Sequence, residues 1–345
     1  MQSPAFVPCP GAAPFASFSK ESCAQGLPWA LQLEAMMLFS DRICDELGYS
    51  KRQLNSFLKN APRKYRVYSI PKRTVGYRTI AHPSKKLKEI QRVCDALLQD
   101  MLPVHHCAYA YKKGCSIKKN AMLHVSQSYL LKMDFSNFFN SITPDMFWSK
   151  VDSFNIGINK KERSKLTKAM FWQPNRHDSE KLKLSIGAPT SPLISNFVAY
   201  EFDCFLSEWC ISQGIVYSRY ADDLTFSTFK AGVLFSVPRV VKAFLNKYFD
   251  GITVNEAKTK FSSKKHNRHV TGITLTDDGR ISLGRGEKRR IFHFVHAFSL
   301  GELDPNLLPK LRGKIVFYEH IQPGFIKRLS AKYTEELISS LLNGD

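Results

Sequence analysis

Apolar positions recur at helical spacing across residues 31–58, and Ser50 is placed to cap a second helix within that span. From 63 to 70 the pattern changes to alternation, turns through Gly76 and resumes at Tyr77-Arg78-Thr79-Ile80, which predicts a basic β-hairpin. The helical period returns over 85–102 and stops at Pro103. Residues 125–135 are apolar enough for a buried strand, and a helix opens over 144–151. Pro189 and Pro192 bracket a turn into a helix over 193–209. Residues 215–229 read as strand, tight acidic turn, strand. A helix over 237–249, short strands within 252–274 and a mostly helical remainder follow. The alternation of strand and helix lacks a strict βαβ rhythm and shows no internal repeat, so the predicted class is α+β.

Charge adds what periodicity does not show. The 345 residues carry 50 Lys+Arg against 30 Asp+Glu, a formal +20. Such an excess repels itself in a compact chain unless a polyanion offsets it, and nucleic acid is the expected one, with an anionic membrane surface as rival. No apolar run approaches the roughly 20 residues of a spanning helix. The first 20 residues lack a basic start followed by an apolar block, so no signal peptide is expected. Eight cysteines without a C-x-x-C pair read as reduced thiols of a cytoplasmic protein. His105, His106, Cys107 and Cys115 match no usual zinc spacing.

The chemistry concentrates in Arg219-Tyr220-Ala221-Asp222-Asp223-Leu224-Thr225-Phe226. Two adjacent carboxylates at the bend of an apolar hairpin repel each other, and cations such as magnesium, which takes hard oxygen ligands, relieve that repulsion. Taken alone, a solvated Asp-Asp turn fits equally well. A second strand, Leu130-Leu131-Lys132-Met133-Asp134-Phe135, also ends on an aspartate. Two-metal catalysis requires carboxylates from different strands around ions roughly 3.5–4 Å apart.

Asp134, the segment Ser185-Ile186-Gly187-Ala188-Pro189-Thr190-Ser191-Pro192 and Tyr220-Ala221-Asp222-Asp223 resemble, in order and spacing, the palm motifs of a reverse transcriptase. Val254-Asn255 with Lys258-Thr259 is similar to that family's next motif, whose lysine acts as general acid on the leaving pyrophosphate. Asn120-Ala121-Met122-Leu123-His124 and Val270-Thr271-Gly272 resemble two elements of the retron reverse transcriptases in particular. The resemblance spans roughly residues 60–335. It implies a right-hand polymerase of fingers, palm and thumb, with an antiparallel palm sheet and a helical basic thumb. It also implies two Mg²⁺ ions, with Mn²⁺ as a substitute, on Asp134, Asp222 and Asp223. Deoxynucleotides would meet Lys72, Arg78, Phe139, Ile186 and Gly187. Arg73 shares the basic hairpin, and Phe139 takes the sugar-gate position, where an aromatic clashes with a 2′-hydroxyl. Ile186 stands where the family usually has glutamine, so packing must replace a polar contact to the sugar.

The resemblance further implies a cognate structured non-coding RNA, copied in part into branched RNA–DNA (msDNA) from a guanosine 2′-hydroxyl. A partner effector protein in phage defence is implied as well. Asn120, His124, Val270, Thr271 and Gly272 are the expected RNA contacts, with a satisfied core histidine as the alternative for His124, joined by Arg289 and Arg290 in the basic, aromatic-interleaved final third. The expected boundaries are a loose arm at 1–30, N-terminal helices and fingers at 31–125, a palm at 126–275 that includes finger residues 152–190, and a thumb at 276–345. An intron-type or diversity-generating reverse transcriptase is the rival within the class, and a non-catalytic RNA scaffold the rival outside it. No endonuclease or maturase extension follows the basic helices, which argues against the intron type.

Overall fold

The structure is a computed structural model that describes residues 39–71, 76–174 and 182–343. The expected arm at 1–30, the start of the helix at 31, Lys72 and Arg73 lie outside the described residues.

Two helices open the described chain, α1 (Phe39–Leu47) and α2 (Lys51–Lys59), the second closed by Ser50 and Gln53 in a reciprocal capping box. The hairpin follows as β1 (Tyr65–Pro71) and β2 (Tyr77–Pro83), antiparallel with Tyr65 opposite Pro83. Then come α3 (Lys85–Gln99), α4 (Ile117–His124), β3 (Tyr129–Ser136), α5 (Pro144–Ser153) and α6 (Lys160–Met170). A two-residue ladder joins β4 (Phe171–Trp172) to β5 (Lys183–Leu184). Helices α7 (Ser191–Val198) and α8 (Tyr200–Gln213) lead into β6 (Val216–Tyr220) and β7 (Asp223–Thr228). Beyond α9 (Val237–Tyr248) lie β8 (Thr253–Val254), β9 (Lys260–Ser263), β10 (Arg268–Val270), β11 (Ile273–Leu275) and β12 (Ile281–Ser282). The chain closes with α10 (Arg285–Ser299), α11 (Leu308–Ile321), α12 (Phe325–Tyr333) and α13 (Glu335–Asn343).

These elements gather into two compact units, each discontinuous in sequence. The first comprises residues up to Lys112, Met133–Leu224 and Phe235–Thr259. In it, the second half of β3 pairs antiparallel with β8, Phe135 opposite Val254. The aromatic rings of Phe135, Phe202, Phe244 and Phe205 follow one another at centroid separations of 4.6–5.7 Å, tying β3 to α8 and α9. Each buries roughly 150–250 Å² of apolar surface, which makes this seam a large share of the unit's stability. Elsewhere in the unit the carboxylate of Glu162 accepts from the backbone and hydroxyl of Ser40 at 2.7 and 2.8 Å, fixing α6 to α1.

The second unit comprises Lys113–Lys132, Thr225–Leu234 and Lys260 onward. The first half of β3 pairs here with β9, Tyr129 opposite Ser263. Strands β10, β11 and β12 form a separate antiparallel sheet. The core is shared by Ala121 of α4, Val270, Ile273 and Leu275 of the small sheet, and Ile291, Ile315, Leu329 and Leu341 of the four C-terminal helices. Residues 113–132 and 260–275 thus share this unit with the C-terminal helices.

Several expectations are corrected. Residues 193–209 form two helices, divided at Ala199. Strand β3 starts at Tyr129, because residues 117–124 are helical and Val125 is the C-cap of that helix. Helix α6 is so polar, with only four of its eleven residues buried, that no apolar period reveals it. Its start is marked instead by Asn159, whose side chain accepts from Glu162 N.

Candidate catalytic site

The acidic turn and the end of β3 are held together by main-chain hydrogen bonds within the first unit. Phe135 N donates to the carbonyl of Asp222 at 3.1 Å, and Asn255 N donates to the carbonyl of Asp134 at 2.7 Å. The turn itself is tight: β6 ends at Tyr220, β7 begins at Asp223, and Ala221 takes φ 58. A residue with a Cβ in that left-handed region carries a cost of about 1–2 kcal/mol, so the surrounding structure must impose it.

One carboxylate oxygen from each of Asp134, Asp222 and Asp223 lies within 4.8 Å of the others. Asp134 is buried, Asp222 half-buried and Asp223 exposed. Burial, followed by the neighbouring Asp134 charge, raises the Asp222 carboxyl above the usual carboxylate range, while Lys258 and Arg78 oppose that rise. Lys258 Nζ forms an ion pair with Asp134 Oδ2. Three hard oxygen donors converging from two strands are a donor set that fits Mg²⁺ or Mn²⁺.

A cleft of about 670 Å³ opens over these carboxylates. Arg78, Phe139, Ile186, Gly187 and Lys258 all line it. The two adjacent phenylalanines separate: Phe138 is buried against Phe135, whereas Phe139 is partly exposed in the cleft, edge-on to Tyr111. Gly187 adopts φ 114, which side chains with a Cβ rarely enter, and so requires glycine. Lys72 lies outside the described residues.

The expected RNA contacts belong to the second unit. Asn120 and His124 are fully buried in the second unit, so in this conformation their side chains present nothing to RNA; the exposed residues of α4 include Met122 and Leu123. His124 Nδ1 lies 2.7 Å from Ser227 Oγ, and burial pulls the imidazole down to about 3. Val270 is likewise fully buried. Thr271 and Gly272 form the β10–β11 turn, both at positive φ, and Thr271 Oγ1 donates to the carbonyl of Ile117 at 3.4 Å. Arg289 and Arg290 are exposed on α10, but Arg290 is tied to Glu287 in an ion pair.

Sequence reasoning passed over three features. Lys88 and Arg92 of α3 line the catalytic cleft and also a second, basic groove of about 850 Å³. That groove adds Lys64, Arg66, Lys85 and Lys86 beside Phe57, and none of these six cations has an ion-pair partner among the described residues. Their helical spacing, four residues from Lys88 to Arg92, is the signal that could have found them. The third feature is a fully buried pair, Arg219 with Asp203, directly behind the acidic turn. A lone Asp in the apolar run of α8 was its signal. His105, Cys107 and Asp203 also approach within 4.8 Å, but Asp203 is already neutralised by Arg219, and Cys115 is not among them.

Residues 70–275 match the family described as reverse transcriptase (RNA-dependent DNA polymerase). The chain is 44% identical over 286 residues to the Retron Ec83 reverse transcriptase of Escherichia coli, covering 82% of this chain and 92% of that protein. It is 32% identical over 301 residues to the Retron Ec73 reverse transcriptase of the same organism, covering 82% and 91%. Against the Retron Ec86 reverse transcriptase, also from E. coli, identity is 30% over 259 residues, covering 73% and 76%.

Proposed function

The chain belongs to the retron-type reverse transcriptases and is an RNA-directed DNA polymerase; from that premise we propose that Asp134, Asp222 and Asp223 are its metal-binding catalytic carboxylates. The observation that carries the assignment is their convergence within 4.8 Å beneath a cleft lined by Arg78, Phe139 and Lys258. Divalent cations, Mg²⁺ with Mn²⁺ as substitute, activate the attacking hydroxyl and neutralise the leaving pyrophosphate when bound there. The chain's own groups supply the rest. Arg78 offers a bidentate fork for triphosphate oxygens. Ile186 and Gly187 floor the sugar site, and Phe139 crowds a 2′-hydroxyl. Lys258, paired with Asp134 in the cleft, would leave it for the pyrophosphate and give that group a proton.

The RNA is proposed to be a structured non-coding RNA, copied in part to msDNA, with an effector protein as defence partner. The formal +20 and the basic groove beside Lys88 and Arg92 favour a polyanion running out of the cleft across that face. Among the described residues, no helix is long and apolar enough to cross a membrane.

Primer extension and an RNA-binding isotherm on one preparation test the assignment. Asp222→Asn and Asp223→Asn should each lower synthesis by orders of magnitude while RNA affinity stays nearly unchanged, because carboxylates repel phosphate rather than bind it. Full synthesis by either variant removes that aspartate from the mechanism.

A further inference from the structure

The acidic turn is stiffened from behind by Arg219, two residues before Ala221. The guanidinium is fully buried and engages both oxygens of Asp203 through Nε and Nη2, at 2.6–3.1 Å. Its Nη1 faces the other way, donating to Asn196 Oδ1 at 3.0 Å and to the carbonyl of Ala221 at 3.1 Å. Asn196 is itself fixed, since its Nδ2 donates to the carbonyl of Ala110 at 2.9 Å. The Tyr217 hydroxyl donates to Asp203 Oδ1 at 2.9 Å. The backbone of Arg219 is clamped as well, its N–H donating to Cys107 O at 2.9 Å and its carbonyl accepting from Tyr109 N at 2.8 Å.

Neutralising Asp203 does not by itself require arginine, because a lysine ammonium carries the same charge. What only a planar, rigid fork can do is grip a carboxylate with one edge and reach a second acceptor with the other. Burial works against the guanidinium charge, yet Asp203 more than offsets it, so the group stays protonated and its donors stay in place. The second acceptor is informative: the carbonyl belongs to the residue at φ 58 that immediately precedes Asp222.

We propose that Arg219 is a positioning residue of the catalytic turn, its guanidinium locked by Asp203 and Asn196 so that it pins the Ala221 carbonyl and fixes where Asp222 and Asp223 present their carboxylates. A turn held in place beforehand loses no conformational freedom when a cation binds. Loosening it should therefore weaken cation binding and slow turnover while leaving deoxynucleotide KM nearly unchanged. The inference rests on the proposed role of the carboxylates and concerns how they are held.

Arg219→Lys is the discriminating variant, because it keeps a cation opposite Asp203 but cannot also span to Ala221. Expected are a folded protein with wild-type RNA affinity and a kcat lower by on the order of 10- to 100-fold, as small misplacements at a reacting centre produce. Mn²⁺ binding, followed by paramagnetic resonance, should weaken. Hydrogen–deuterium exchange should quicken in the peptide that holds residues 219–223. A folded Arg219→Lys protein with wild-type kcat, Mn²⁺ affinity and exchange overturns the proposal, since the pair would then serve folding alone. Should that variant not fold, Asn196→Ala, which removes the other acceptor on Nη1, takes its place. The same shifts, smaller, are expected, and wild-type values overturn the proposal. Asp222→Asn measured alongside separates the two readings. Mn²⁺ binding and synthesis that survive that change sink the carboxylate assignment; their loss there, with Arg219→Lys unchanged, sinks only this inference.

Discussion

The imidazole of His124 lies 2.7 Å from the hydroxyl of Ser227, which is four residues beyond Asp223 on the same strand. Both side chains are fully buried, and burial holds the folded imidazole neutral down to about 3. The unfolded chain takes up that proton near its ordinary value of about 6.5. Below that pH the unfolded state binds more protons, so the stability from burying a neutral His124 is complete above about 6.5 and falls as pH drops toward 3. The loss is about 2 kcal/mol between pH 7 and 5. His124→Asn, which keeps a hydrogen-bonding side chain but does not titrate, should have a flatter dependence of urea midpoint on pH. Parallel slopes in the two proteins would show that His124 is not the titrating group.

Asn120 is buried, and neither its amide oxygen nor its nitrogen has a hydrogen-bond partner among the described residues. Each unmade bond costs about 1–3 kcal/mol, so a residue kept there at that expense should serve something other than folding. Asn120→Ala is expected to leave the denaturation midpoint unchanged or raise it, while narrowing the affinity gap between cognate and scrambled RNA. A lowered midpoint with undiminished discrimination would make Asn120 an ordinary core residue.

Phe139→Ala should relax the preference for deoxynucleotides over ribonucleotides, because the partly exposed ring lines the cleft beside Asp134. Phe138→Ala, by contrast, empties a core position and should cost about 3–5 kcal/mol of stability without changing the sugar preference of whatever protein remains folded. Incorporation ratios for each sugar, measured with both variants, decide the matter. An unchanged ratio in Phe139→Ala places the gate elsewhere.

Arg289 and Arg290 should behave differently despite being adjacent. Arg290 shares Glu287 with Lys314 and the Tyr318 hydroxyl, whereas Arg289 is exposed with no ion pair among the described residues. Arg289→Gln is expected to weaken duplex binding and reduce the salt slope by about 1, since a phosphate left without its cation keeps its condensed counterion. Arg290→Gln should change the slope less. Equal slopes for the two variants would show that the Glu287 network does not restrain Arg290.

The chemistry was legible in the sequence because each motif is local. An aspartate at a strand end, two aspartates at a bend and a glycine at φ 114 each state their requirement within a few residues, and order along the chain supplied the rest. The hairpin and the Ser50 cap were legible for the same reason, since alternation and capping act over single turns. Tertiary structure decided what depends on partners far apart in sequence. It divided Phe138 from Phe139, core from cleft, and it buried Asn120 and His124. It assembled Lys88, Arg92 and the neighbouring cations into one groove. It also set Arg219 against Asp203, sixteen residues earlier, and against the turn that carries Asp222. A side chain's period or motif fixes its type and local backbone; burial and the second partner of a forked donor are fixed only when distant segments close around it.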